Sequence, residues 1–93
     1  MIHLSGRLIC KTAAELSTVQ LYLPDHIRLS LAEPGCVAFA ITQSDDPLIW
    51  DVSETFVDMA AFDAHQTRTG ASPWFAATRH ILRAFGQPVQ HHP

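Results

Sequence analysis

Positive charge is scarce in this chain: lysine occurs once, at Lys11, and the five arginines are scattered. With a formal net charge of −3 there is no basic stripe to track a phosphate backbone, which argues against nucleic acid, and no polybasic segment to hold a membrane surface. No run of 18 apolar residues occurs, so no bilayer-spanning segment is expected. Met1-Ile2-His3-Leu4-Ser5 lacks the basic start and small-residue cleavage site of a signal peptide, which points to a cytoplasmic protein. The four glycines, Gly6, Gly35, Gly70 and Gly86, are isolated, so no loop cradles a dinucleotide or a triphosphate. The two cysteines, Cys10 and Cys36, have no C-x-x-C partner; they read most simply as small buried apolar side chains, with a disulfide as the alternative. Neither H-x-x-x-H nor H-E-x-x-H is present, and neither a metal nor a cofactor is expected.

Ninety-three residues make one domain, which at this size buries roughly 60–70% of the unfolded chain's surface. Hydrophobic residues make up 47% and charged residues 16%, an apolar balance that hints at a surface covered by a second subunit.

Residues 1–10 alternate, placing Ile2, Leu4, Leu8 and Cys10 on one strand face. Thr12 and Glu15 form a capping box, after which Leu16, Val19, Leu23, His26 and Ser30 continue one helical stripe. Pro24 predicts a kink or a break in that helix, and Glu33-Pro34-Gly35 ends it. Residues 36–42 form a strand with Val37, Phe39 and Ile41 on one face, and residues 44–47 a hairpin turn. Residues 48–56 return as a strand that aligns Leu48, Trp50, Val52, Glu54 and Phe56. Asp58 caps a short helix carrying Phe62 and His65. Ser72-Pro73 opens another, whose stripe is Trp74, Thr78, Ile81 and Phe85. Residues 1–86 are the domain; the tail 87–93, with His91 and His92, is either a very short fourth strand or disordered.

This order predicts an α+β, ferredoxin-like protomer: an antiparallel sheet of three or four strands with helices on one face. The other sheet face is mixed but substantially apolar and has no cover within the chain, so a twofold homodimer closed sheet to sheet is expected.

His65 follows Phe62 by three residues and shares its helix face. It reads either as a core-edge histidine bonded to a carbonyl or as a general base working near its unperturbed pKa. Glu54, in phase with Trp50 on an apolar strand face, needs a partner: it either orients His65 or bridges an arginine such as Arg79. His26 lies on the inner stripe of the first helix and is a second candidate for the same space. Trp50 and Trp74 are core fillers or walls of a pocket for a flat aromatic ligand. Arg79 either reaches an anionic oxygen of that ligand or sits on a solvated helix face.

Several of these residues together resemble the antibiotic biosynthesis monooxygenase family. They are His26 ahead of Ala32-Glu33-Pro34-Gly35-Cys36, Asp45-Asp46-Pro47 in the hairpin, Glu54, and Asp58-x-x-Ala61-Phe62-x-x-His65. The likeness spans roughly residues 2–85. It implies a dimeric α/β barrel of ferredoxin-like protomers with one pocket each between sheet and helices. It also implies cofactor-independent oxidation of a small phenolic or quinol-like aromatic by O₂. His65 would then be the base, Glu54 its partner, and Trp50, Trp74, His26, Phe62 and Arg79 the residues around the substrate. Relatives that degrade haem carry an asparagine on the first strand; this chain contains none, and Ser5, Gly6 and Arg7 occupy that region. A dimeric ligand-binding or regulatory domain without turnover, and an isomerase of a small hydroxyketone, are the alternative readings.

Overall fold

Alternation in β1 (Ile2–Ile9) sends Ile2, Leu4 and Leu8 to one face, where all three are buried. β3 (Ile49–Phe56) pairs along one edge of β1, setting Leu4 opposite Glu54 and Leu8 opposite Trp50. β4 (Leu82–Phe85) and β5 (Val89–Gln90) pair with the other edge, and β2 (Cys36–Gln43) adds to the far side of β3. The sheet is antiparallel throughout and runs β2-β3-β1-β4. α1 (Ala13–Leu31), α2 (Met59–Gly70) and α3 (Pro73–Thr78) pack on its apolar face. This is the ferredoxin-like α+β arrangement, seen in a computed structural model that describes residues 1–90. His91 and His92 lie outside the described residues.

The helix starts follow their side-chain chemistry. Thr12 accepts the Glu15 N–H at 3.1 Å while Glu15 reaches back to the Lys11 N–H at 2.7 Å. Asp58 caps α2 through Ala61, and Ser72 caps α3 through Phe75. Between α1 and β2 the chain reverses at Gly35, whose φ of +86° lies in the left-handed region that side-chain-bearing residues avoid.

Two hydrophobic clusters hold the layers together. The larger joins Leu8, Val19, Leu23, Phe39, Trp50, Trp74 and Ile81; the smaller joins Ile2, Leu4, Phe56 and Phe62. At β1 the absence of a side chain at Gly6 lets β4 approach: a Cβ there would stand 2.1 Å from the Phe85 ring and 2.7 Å from the Ala84 carbonyl.

The structure departs from the periodicity in four places. α1 runs unbroken through Pro24, because Val19 and Leu23 before it and His26 and Ser30 after it are all buried, and that packing outweighs one missing hydrogen bond. A bulge between Cys36 and Ala38 shifts the register of β2, so Val37 turns outward while Phe39 and Ile41 stay buried. α3 ends at Thr78, and the expected stripe through Phe85 breaks. There the Arg83 guanidinium takes the Thr78 and Ile81 carbonyls, and residues 82–85 pair with the open edge of β1 as a strand. Among the described residues the sheet therefore has five strands, two of them short, where three or four were expected. The two-residue β5 lies in the tail that the sequence left as either a very short strand or disordered. Cys10 and Cys36 are free thiols, Cys10 buried and Cys36 half-buried.

Candidate functional site

His65 is 2% exposed and is gripped from both sides of its ring. Its Nδ1 lies 2.8 Å from Glu33 Oε1 and 3.2 Å from Oε2; its Nε2 lies 3.5 Å from Glu54 Oε1 and 3.3 Å from Thr69 Oγ1. Three elements supply these groups. The helical spacing of α2 places Phe62, His65 and Thr69 along one face, with Phe62 anchored edge-on against Phe56. The alternation of β3 turns Glu54 inward two residues from Phe56. The turn after α1 delivers Glu33, whose N–H bonds to the Ser30 carbonyl and whose own carbonyl accepts the Cys36 N–H. Arg68, one turn beyond His65, donates from Nε to Glu33 Oε2 and from Nη2 to Ser30 Oγ at 2.9 Å.

The Glu33 carboxylate is an acceptor, so His65 donates Nδ1–H to it and keeps an Nε2 lone pair toward Glu54. Burial pulls the His65 pKa below the ordinary histidine value, opposed by its hydrogen bond and charge interaction with Glu33. Glu54 moves the other way. Burial first, then the charge of Glu33, push its pKa up to about 7. Glu54 Oε1 has no hydrogen-bond partner at normal distance, and its approach to His65 Nε2 is loose. Near neutral pH the labile proton of the pair is therefore the one on Glu54, beside a neutral His65.

The His65–Glu54 edge borders a cavity of about 220 Å³ between sheet and helices. Leu4, Leu8, Ile41, Val52, Trp74, Phe75 and Phe85 give it apolar walls; His26, Gln66, Thr69 and Arg83 add polar groups. His26 stacks on Trp74, with centroids 4.9 Å apart and planes 6° from parallel, and meets Phe39 edge-on. Burial, then the positive charge of Arg68, lower its pKa to about 3, so His26 is a neutral aromatic wall, and its buried Nδ1 has no partner. The stacked pair also borders a larger outer hollow of about 350 Å³ between α1 and α3, but the His65–Glu54 pair faces only the inner one.

A family model for antibiotic biosynthesis monooxygenases matches residues 12–79. The chain belongs to the antibiotic biosynthesis monooxygenase family. Its fold is close to that of solved members and neighbours. A candidate antibiotic biosynthesis monooxygenase from Deinococcus radiodurans aligns over 100% of this chain and 97% of its own, with 15% identity and a TM-score of 0.77. One from Nitrosomonas europaea aligns over 98% of both chains, with 17% identity and a TM-score of 0.76. A Shewanella oneidensis protein aligns over 95% of this chain and 87% of its own, with 23% identity and a TM-score of 0.71. No curated protein gives a significant sequence match.

Of the family-type residues singled out in the sequence, His65, Glu54, His26 and Trp74 border one cavity. Trp50 and Phe62 do not border it; both are buried in the hydrophobic clusters, and the Trp50 Nε1 has no partner. Arg79 is exposed, with its guanidinium 5.9 Å from the centroid of the Phe75 ring, because α3 ends before it and turns it outward. It does not bridge Glu54. The group that orients His65 is Glu33, which the sequence offered only as part of a turn. Arg68 was also missed, since its partners Glu33 and Ser30 lie 35 and 38 residues away, and so was Arg83, which faces the cavity only because residues 82–85 pair with β1. Among the described residues, no three His, Cys, Asp or Glu side chains are grouped as metal ligands.

The raised pKa of Glu54 has a consequence for stability. Between about 4.5 and about 7 the folded chain retains a proton that the unfolded chain has released, so this group lowers stability as pH rises, by on the order of 3 kcal/mol over the whole interval. In urea denaturation, Glu54→Gln is expected to lose less stability than the parent between pH 5 and pH 8, by about 2 kcal/mol. Parallel pH profiles for the two proteins would contradict the assignment.

Proposed function

We propose that this protein is a cofactor-independent monooxygenase acting on a small phenol- or quinol-type aromatic, assembled as a homodimer. The observation that carries the reading is the Glu33–His65–Glu54 arrangement opening onto a small, largely apolar cavity. The ring of the substrate lies against Trp74 and His26, with a hydroxyl toward His65 Nε2 and Glu54. His65 takes the hydroxyl proton; Glu33 holds the imidazole in the required tautomer and stabilises the imidazolium that forms. Glu54 then carries or returns that proton. Trp50 and Phe62 act from behind the site, by fixing β3 and α2.

The deprotonated ring is electron-rich and gives an electron to O₂; the two radicals combine at a ring carbon that bears hydrogen. The resulting hydroperoxide loses water to leave a quinone, so a hydroquinone plus O₂ becomes a hydroxyquinone plus H₂O. All electrons come from the substrate. What the protein contributes is a proton acceptor, an oriented ring and the exclusion of bulk water.

The sheet face away from the helices supports the homodimer. Ile9 pairs with Ile49 on one side and Leu82 on the other, which makes an apolar row across three strands on that face. Sedimentation equilibrium is expected to give twice the 10.3 kDa chain mass; a monomer at micromolar concentration would contradict this.

The acid–base pair also suits an isomerase that moves a proton between adjacent carbons of a hydroxyketone, and an oxygen electrode separates the two chemistries. With a panel of hydroquinones, including acidic ones, the parent protein is expected to consume O₂ above the buffer rate. His65→Ala should fall by roughly 10²–10⁴-fold, in the range of general-base catalysis. Equal rates for His65→Ala, parent and buffer would overturn the oxygenase reading. Conversion of a hydroxyketone without O₂ uptake would favour the isomerase, and saturable binding without conversion a ligand-binding domain.

A further inference from the structure

Among the described residues, Arg83 is the one lysine or arginine bordering the inner cavity, and it has no carboxylate in ion-pair contact. Its hydrogen bonds go to neutral acceptors: Nη1 to the Thr78 carbonyl at 2.7 Å and the Ile81 carbonyl at 3.1 Å, Nη2 to Thr78 Oγ1 at 2.9 Å. Both Nη1 protons are thereby used. The Nε proton and one Nη2 proton remain, and they share one edge of the guanidinium, a fork spaced for the two oxygens of a carboxylate. Two of its five donors are thus without a protein partner among the described residues, the guanidinium carbon lies 6.0 Å from the centroid of the Phe75 ring, and a carboxylate would complete the set. Burial already pulls the Arg83 pKa below the ordinary arginine value.

The position of this charge sets where a ligand's acid group would lie. Glu54 stands opposite Leu4 on one side of β1, and Arg83 opposite Leu8 on the other. The four-residue offset is about 13 Å along the strand, so Glu54 and Arg83 border the cavity from strands on opposite sides of β1 and at different heights along it. A volume of about 220 Å³ lies below the roughly 300 Å³ at which pockets for drug-sized ligands begin, which suits one ring with a short side arm. His26 adds no positive charge, since its pKa lies near 3, so among the described residues the cavity offers one cation without a carboxylate in contact and matches a monoanion.

We infer that the cavity takes a carboxylate-bearing phenol or hydroquinone, with its carboxylate on the free edge of Arg83 and its ring hydroxyl at Glu54 and His65. The inference rests on the reading of this cavity as the substrate site and narrows its substrate class. Arg83 then selects the ligand and fixes which ring position faces the acid–base pair. Its bonds to Thr78 and Ile81 hold the guanidinium rigid, which lowers the entropy lost on binding.

Anaerobic titration followed by tryptophan fluorescence tests this directly, since Trp74 lines the cavity. The probes are 2,5-dihydroxyphenylacetate, its methyl ester and methylhydroquinone. The parent protein is expected to bind the acid about tenfold or more tightly than either neutral probe, the size of a charge-assisted contact. Folded Arg83→Gln should lose that preference and bind acid and ester alike, and Arg83→Lys, a point charge without the fork, should keep part of it. Equal binding of acid and ester by the parent protein would overturn the inference without recourse to a variant. So would a preference that survives in folded Arg83→Gln. Without oxygen no turnover occurs, so the two readings fail separately: acid-selective binding with no later O₂ uptake sinks the oxygenase, and O₂ uptake with neutral hydroquinones alone sinks the anionic substrate.

Discussion

The hydrogen bond from His65 Nδ1 to Glu33 joins the turn after α1 to the middle of α2 and decides the state of every group around it. It sets which imidazole nitrogen carries the proton, and so leaves a lone pair on the side that faces the cavity. It also determines what Glu54 can do, because a neutral His65 favours a protonated Glu54 as donor and a protonated His65 favours the carboxylate. Without that bond, His65 would be a desolvated imidazole free to adopt either tautomer, beside a carboxyl group with no defined partner.

The remaining structure supports this contact. Gly35, at positive φ, turns the chain tightly enough to bring Glu33 back toward α2. Arg68 closes the other side of the Glu33 carboxylate, and Ser30 holds Arg68 in place. Phe62 and Phe56 set the position of α2 over β3, and the His65 ring packs 4.9 Å from Phe56 and 5.4 Å from Phe39. A chain of this size gains little from burying ionisable groups, since a buried pair is often no more stable than an apolar replacement. Four charged or titratable side chains kept together at the edge of the core, beside a cavity, are better explained by chemistry than by stability.

How far the sequence reveals this arrangement depends on the range of the interactions. Local rules found the caps at Thr12, Asp58 and Ser72, the inward face of β3, and the alignment of Phe62 with His65, because each is set within a few residues. Long-range effects were hidden. Residues 82–85 have no strand signal strong enough to override a helical stripe, and only the open edge of β1 makes them a strand. Glu33 looked like turn punctuation because its partners, His65 and Arg68, lie more than 30 residues away. Arg83 is not on the expected stripe of Trp74, Thr78, Ile81 and Phe85, and only strand pairing opposite Leu8 turns it onto the cavity side of the sheet. Arg79 takes the solvated position that was one of its two readings, because α3 ends just before it.

The central claim, that Glu33 fixes His65 as the Nδ1–H tautomer with a free Nε2, is open to direct measurement by ¹⁵N NMR of the histidine ring. At pH 7 His65 is predicted to show a protonated Nδ1 and an unprotonated Nε2, and to gain its second proton at a lower pH than an exposed histidine. The Nδ1 assignment should disappear in Glu33→Gln, where the partner carboxylate is gone. An Nε2–H tautomer at pH 7, or ordinary titration near 6.5 with the two tautomers in exchange, would contradict the account.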